Sequence, residues 1–154
     1  RSVLNMKPLV IFDLDGTLSD ARHRRHFLGE EPPDWTSFYE SCGEDKPLWP
    51  TIRVAHALHT QGYELWLFSG RIDRVIERTK NWLAQHGMHN MFSWMQFRRD
   101  GDHTPDDVLK MQWYDNMLVV DRTRLLLTFD DRDRIVKAWR DRGVTCFQVA
   151  PGNF

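Results

Sequence analysis

The stretch Val10-Ile11-Phe12-Asp13-Leu14-Asp15-Gly16-Thr17 decides how this chain is read. An apolar run from Pro8 to Leu14 has no polar alternation, as in a strand covered on both faces, and it gives way to two carboxylates one residue apart, a glycine and a hydroxyl. Such a strand belongs near the centre of a parallel sheet. Ligands of parallel sheets bind beyond the carboxyl ends of the strands, so the chain can be searched for other strands that end in reactive groups.

Downstream, Ile52, Ala55, Leu58 and His59 recur at helical spacing up to Gly62, and Tyr63 to Phe68 follow as a second strand ending at Ser69-Gly70-Arg71. Val75, Ile76, Thr79, Trp82 and Leu83 share one face of a helix stopped by Gly87, and Trp94 to Phe97 form a short strand that runs into Arg98-Arg99-Asp100. Thr104-Pro105-Asp106-Asp107 offers a capping hydroxyl, a proline at the first helical position and acids in the first turn. That pattern predicts a helix from Val108 to about Tyr114, with Lys110 one turn into it. Leu118 to Asp121 reads equally as a short strand or a helix. Leu125 to Phe129 is a buried strand ending at Asp130-Asp131; Ile135, Val136 and Trp139 lie on a helix closed by Gly143, and Val144 to Val149 is the last strand. The alternation predicts an α/β fold, a Rossmann-like, doubly wound and mostly parallel sheet with helices on both faces.

One segment breaks the pattern. From residue 19 to about 50 the chain holds a basic cluster (Arg22 to His26), Glu30-Glu31-Pro32-Pro33, and the aromatics Trp35, Phe38, Tyr39 and Trp49. It is a cap-like, partly helical insertion with no core of its own. The length of 154 residues, 41% hydrophobic and 12% aromatic, suits one domain over residues 6–154; residues 1–5 precede Met6 and read as an expression remnant. The 21 basic and 22 acidic side chains nearly cancel, so any contact with nucleic acid is expected to be local. Cys42 and Cys146 form neither a zinc spacing nor a disulfide framework, and no run is long and apolar enough to span a bilayer. A soluble cytoplasmic protein with no membrane partner is expected. No GxxxxGK[ST] occurs, so these residues encode no P-loop kinase.

Asp13 and Asp15, Ser69 and Asp130-Asp131 all fall just past predicted strand ends, and Lys110 on its helix can join them on one rim. Each alone has an ordinary use: a DxDG turn, a helix cap, a solvated lysine, an acidic first turn. Together the carboxylates repel unless a hard divalent cation lies between them, and magnesium suits carboxylates, water and phosphate oxygens. In such a site one aspartate can attack a phosphoryl group, another can supply the proton, and a hydroxyl and an amine can hold the remaining oxygens.

Here the sequence resembles the haloacid dehalogenase superfamily of aspartate-nucleophile phosphatases. Phe12-Asp13-Leu14-Asp15-Gly16-Thr17 matches its first motif, Ser69 the second, Lys110 the third and Asp130-Asp131 the fourth. The resemblance implies that Asp13 is the nucleophile, forming an aspartyl-phosphate, and that Asp15 is the general acid and then base. It also implies that magnesium is held by the Asp13 side chain, the Asp15 backbone carbonyl and Asp130, with Asp131 in support. The second half of the chain is similar to the 3′-phosphatase domain of bacteriophage polynucleotide kinase, through Phe68-Ser69-Gly70-Arg71, Arg98-Arg99-Asp100-Gly101-Asp102, Asp106 to Lys110, Asp130-Asp131-Arg132, Trp139-Arg140 and Cys146 to Phe154. The insertion has no obvious match in it.

Thr17, Gly70, Arg71, Arg98 and Arg99 are the candidate substrate-binding residues, the arginines because a guanidinium grips phosphate oxygens in pairs. The Arg22 to His26 cluster is a candidate contact to a nucleic-acid backbone. The expected activity is removal of 3′-phosphates from nucleic-acid ends; a nucleotidase or small-molecule phosphatase keeps the same chemistry. A receiver-like signalling domain uses similar residues in a different order, with its acidic pair after the first strand. Strand state, sugar and protein partners are left open by the residues.

Overall fold

The computed structural model describes residues 6–154; residues 1–5, read above as an expression remnant, lie outside the described residues. In chain order the elements are β1 (Leu9–Phe12), β2 (Ser19–Asp20), α1 (Trp35–Glu40), β3 (Lys46–Pro47), α2 (Trp49–Thr60), β4 (Glu64–Ile72), α3 (Ile76–Gln85), β5 (Phe92–Arg98), α4 (Asp106–Asp115), α5 (Val119–Arg124), β6 (Leu125–Asp130), α6 (Asp133–Asp141) and β7 (Cys146–Gln148). Five strands form one sheet in the order β5-β4-β1-β6-β7, every pair parallel. The apolar run therefore lies at the centre.

Successive side chains of β1 point to opposite faces, and both faces are covered. Val10 and Phe12 pack with Leu65 and Leu67 of β4 against Ile52 and Ala55 of α2 and Trp82 and Leu83 of α3. Leu9 and Ile11 pack with Phe68 against Met111 of α4 and Ile135, Val136 and Trp139 of α6. The first core is bound by ring contacts: Phe12 stacks on Phe129 at 4.6 Å between centroids and meets Phe92 edge-on at 6.1 Å.

The insertion is closed at its neck, where β2 pairs antiparallel with β3. Between them run a 3-10 turn over Arg22–Gly29, then α1, then a second 3-10 turn over Ser41–Glu44. It grips the body through Cys42, packed with Ile72, Val75 and Tyr39, and through the Trp82 indole N–H, which donates to the Asp45 carbonyl at 2.7 Å.

The local expectations differ from the structure at some element boundaries, and the one choice left open is decided. β4 does not stop at Phe68 but carries Ser69, Gly70 and Arg71 on to Ile72, because β5 continues to pair with it across a register shift. Thr104 does not cap α4: its hydroxyl donates to Asp102 Oδ1 at 2.6 Å within its own turn, which leaves Pro105, in extended backbone, as the N-cap residue. The ambiguous segment after Leu118 is the helix α5. The last strand is shorter than read, since the Val144 N–H closes α6 by donating to the Trp139 carbonyl. Among the described residues no helix is long and apolar enough to cross a membrane.

Candidate active site

The carboxyl ends of β1, β4 and β6 are neighbours in the sheet, so the residues that follow them meet. Asp13 extends the pairing of β1, its N–H donating to the Phe129 carbonyl at 2.9 Å. Its carboxylate is buried and fixed at both oxygens: Lys110 Nζ donates to Oδ1 at 2.7 Å and Thr17 Oγ1 to Oδ2 at 2.9 Å. The same ammonium reaches Asp130 Oδ2 at 2.9 Å, while Asp130 Oδ1 accepts from the N–H groups of Asp131 and Arg132. Asp131 completes the group by lying against Gly16, whose φ is +82° and where a Cβ would stand 2.1 Å from Asp131 Oδ2. Glycine is thus required there on two counts.

Oxygens of Asp13, Asp130 and Asp131 lie within 4.8 Å of one another, and the Lys110 ammonium bonds two of the three, Asp13 and Asp130. Burial pushes the Asp13 carboxyl well above the usual range, and Asp130 and Asp131 add to this against the pull of Lys110. Burial and then Asp130 push Asp131 up to about 6. Lys110 is opposed by burial, yet Asp13 and Asp130 override that penalty and hold it protonated. Three buried acids against one base leave an excess of negative charge carried entirely by hard oxygen ligands. That donor set fits magnesium.

Asp15 lies in a different field. Its Oδ1 accepts from Arg71 Nη2 at 2.7 Å and Nε at 3.1 Å, from Arg24 Nη2 at 2.8 Å and from Ser19 Oγ at 3.1 Å. Burial opposes its charge, but Arg71 and Arg24 override this and hold the carboxyl far below its usual range. Among the described residues none donates to Oδ2, and Asp15 lines the cavity. Behind it Asp45 takes both guanidiniums, Arg24 through Nε at 2.8 Å and Nη2 at 2.7 Å, and Arg71 through Nη2 at 2.9 Å. His23 Nε2 lies 2.7 Å from the same carboxylate.

The remaining candidates are distributed differently from expectation. Arg71 is buried and its donors go to Asp15, Ser19, Asp45 and Thr79 rather than outward. Arg98 clamps the loop before α4, donating to the carbonyls of Gly70 and Asp102 at 2.9 and 3.1 Å, to that of Thr104, and to Asp106. Both line the cavity as walls. Arg99 is exposed and does not line it. Ser69 is buried, its Oγ accepting from the Arg71 N–H at 3.1 Å, and like Thr17 it lies beneath the cavity surface. Gly70 does line it, with Asp106 so close that a Cβ would stand 2.6 Å from Asp106 Oδ1.

Arg24, Asp45 and Asp106 join the site without having been singled out by the sequence. Arg24 belonged to the basic cluster expected to meet nucleic acid, but it is buried. Only Asp106, on the acidic first turn of α4 and one helical turn before Lys110, carried a signal that could have found it. The cavity over these groups measures about 930 Å³ and is open to solvent, with Asp13, Asp15, Lys110 and Asp130 at its floor and α1 along one side.

The family model for the polynucleotide kinase PNKP phosphatase domain matches residues 7–154. A chain of the Pnkp1/Rnl/Hen1 RNA repair complex superposes with a TM-score of 0.77 at 28% identity, over 96% of this chain and 44% of that one. A second structure of the Pnkp1/Rnl/Hen1 complex gives 0.80 at 27% identity, over 97% and 48%. The present chain thus spans less than half the length of either. The fold alone is shared with the HAD-hydrolase YfnB from Bacillus subtilis bound to magnesium, TM-score 0.64 at 9% identity over 95% and 94% of the two chains. Motif order, the convergence of Asp13, Lys110 and the Asp130-Asp131 pair, and the match along nearly the whole chain agree, and this protein belongs to the polynucleotide kinase phosphatase-domain family, as a phosphatase of the haloacid dehalogenase type.

Proposed function

We propose that this chain is a magnesium-dependent phosphomonoesterase that removes 3′-phosphates from nucleic-acid ends through an aspartyl-phosphate at Asp13. The observation that carries the mechanism is the contrast between two acids one residue apart: Asp13 fixed at both oxygens among carboxylates, and Asp15, on the cavity lining, held by arginines at Oδ1 alone. The pair has two environments and therefore two tasks.

An Asp13 oxygen attacks phosphorus, and the bond to the substrate 3′-oxygen breaks as Asp15 Oδ2 gives that oxygen its proton. The arginines keep Asp15 ionised in the free protein; the negative phosphomonoester works against them, raises its proton affinity, and Asp15 takes up from solvent, as the substrate binds, the proton it then donates. Asp15 then takes a proton from a water molecule, whose oxygen attacks the aspartyl-phosphate, releasing phosphate and restoring the Asp13 carboxylate. Lys110 holds Asp13 in place and offers positive charge where the phosphoryl oxygens gather it. Bound by Asp13, Asp130 and the Asp15 backbone carbonyl with Asp131 in support, magnesium would neutralise the excess acids and polarise the phosphoryl oxygens.

Family membership, and the likeness to chains of a complex named for RNA repair, support nucleic-acid ends as the substrate and end repair as the setting. The test is phosphate release from a 3′-phosphorylated oligonucleotide, with and without a chelator, beside the 3′-mononucleotide. Turnover that survives chelation, or survives Asp13→Asn, defeats the mechanism; a preference for the mononucleotide defeats the substrate assignment and favours a nucleotidase, which the roomy aromatic cavity would also accommodate. The receiver-like alternative is set aside by the family match.

A further inference from the structure

The cavity is far larger than a phosphate group, and the part beyond the carboxylates has its own chemistry. Along one side α1 presents Trp35 and Tyr39, stacked at 5.9 Å between centroids with 28° between their planes. Phe38, beside them, is turned to the ion pairs below, the Arg24 guanidinium lying 4.7 Å over its ring. Tyr39 is anchored in the small cluster that attaches the insertion, but Trp35 belongs to no core and is 51% exposed. A half-exposed indole at the mouth of a site contributes little to stability and offers a flat apolar face to a ligand.

The same cavity is lined by Arg25, Arg132 and Phe154, the two guanidiniums lying over the Phe154 ring at 4.9 and 5.2 Å. Arg25 is exposed and, among the described residues, pairs with no carboxylate. Exposed rings and an unneutralised guanidinium lining one cavity are the combination that holds single-stranded nucleic acid, bases stacking on the first and phosphates meeting the second.

We infer that the cavity takes the last two nucleotides of a single-stranded 3′ end, with Trp35 and Tyr39 as the base platform and Arg25 as the contact to the next backbone phosphate. The inference rests on the 3′-phosphatase reading and narrows it. Bases in a blunt duplex are already stacked and paired, so they must be released before they can reach α1; a free strand pays no such penalty. Trp35 is then a specificity-determining residue, acting on binding of the chain end rather than on the phosphoryl group.

The full chain is assayed on a single-stranded oligonucleotide with a 3′-phosphate, on the same end in a blunt duplex, and on p-nitrophenyl phosphate. Trp35→Ala is expected to raise KM for the single strand, so that the ratio of its kcat/KM to that of p-nitrophenyl phosphate falls about tenfold, within the range that stacking one base on an aromatic ring provides. Trp35→Phe should restore most of that ratio, and Arg25→Ala should lower it and flatten its salt dependence. An unchanged ratio in Trp35→Ala, or blunt ends cleaved as fast as single strands, overturns the inference. If the wild-type chain cleaves p-nitrophenyl phosphate but no 3′-phosphorylated oligonucleotide, the 3′-phosphatase reading itself falls; if it cleaves the oligonucleotide and the ratio does not move, the platform alone falls.

Discussion

Asp13 and Asp131 both hold their protons more tightly in the folded chain than an ordinary carboxyl does, Asp131 at about 6, because each is buried beside further acids. The sign of the consequence follows from linkage. As pH falls from neutrality through about 6, the folded state takes up protons that the unfolded chain would bind only near about pH 4, so the metal-free fold gains stability over that interval and loses it again as pH rises. Thermal melts in chelator should therefore show a lower midpoint at neutral pH than near pH 5, and magnesium should remove the difference; a metal-free midpoint that climbs toward neutrality contradicts the assignment. At this scale the sequence was legible where a residue sits at a fixed offset from a strand end or helix start, as Asp13, Lys110 and Asp130 do; Ser69 lies inside β4, which runs on to Ile72. Arg24 and Asp45 were not legible, because they are joined across 21 residues of irregular chain with no period to relate them. Asp15 was legible as a residue but not in its surroundings, since its arginines come from two distant segments.

The elements were legible to the extent that burial imposes a pattern. β1 reads as a doubly covered strand and lies at the sheet centre, where Phe12 is enclosed by Phe92 and Phe129. Truncation of Phe12 leaves a void that rigid neighbouring strands cannot fill, and Phe12→Ala is expected to cost about 3 to 5 kcal/mol in urea unfolding, with the slope of the transition unchanged. A loss below about 1 kcal/mol would show that the core closes around the gap. Boundaries were harder to read. The end of β4 depends on whether β5 continues beside it, and the N-cap of α4 depends on Asp102 drawing the Thr104 hydroxyl into its own turn. Both are decided by partners rather than by local propensity.

At the scale of the whole molecule, the insertion is attached to the catalytic body by charge as well as by packing. Arg24 from the insertion and Arg71 from β4 lie between Asp15 and Asp45, two cations and two anions of which all but Asp15 are buried. Asp45→Asn leaves an unbalanced positive charge out of reach of water, and the expected loss in urea unfolding is about 3 to 5 kcal/mol. Arg24→Met combined with Asp45→Asn restores the balance and should recover part of that loss, which a double-mutant cycle measures. Strictly additive losses would show that the two side chains act independently. The sequence placed this segment as an insertion but did not show what fastens it, since burial of a charged residue is set by its partners and not by its own type.

The turn after β6 depends on a residue that follows β7. Gly152 packs so closely that a Cβ there would stand 2.0 Å from the Asp131 carbonyl oxygen, and its own carbonyl accepts from the Asp133 N–H at 2.7 Å. Synthesis runs from Asp13 toward Gly152, so Asp13 leaves the ribosome long before Lys110, Asp130 and Gly152 exist. A nascent chain stalled before Gly152 should carry the nucleophile without the turn that completes its surroundings. Ribosome-bound chains of increasing length, probed for phosphatase activity, are expected to stay silent until Gly152 has cleared the exit tunnel. Activity then lags behind the synthesis of its own reactive atom, because the turn that completes the site waits for Gly152.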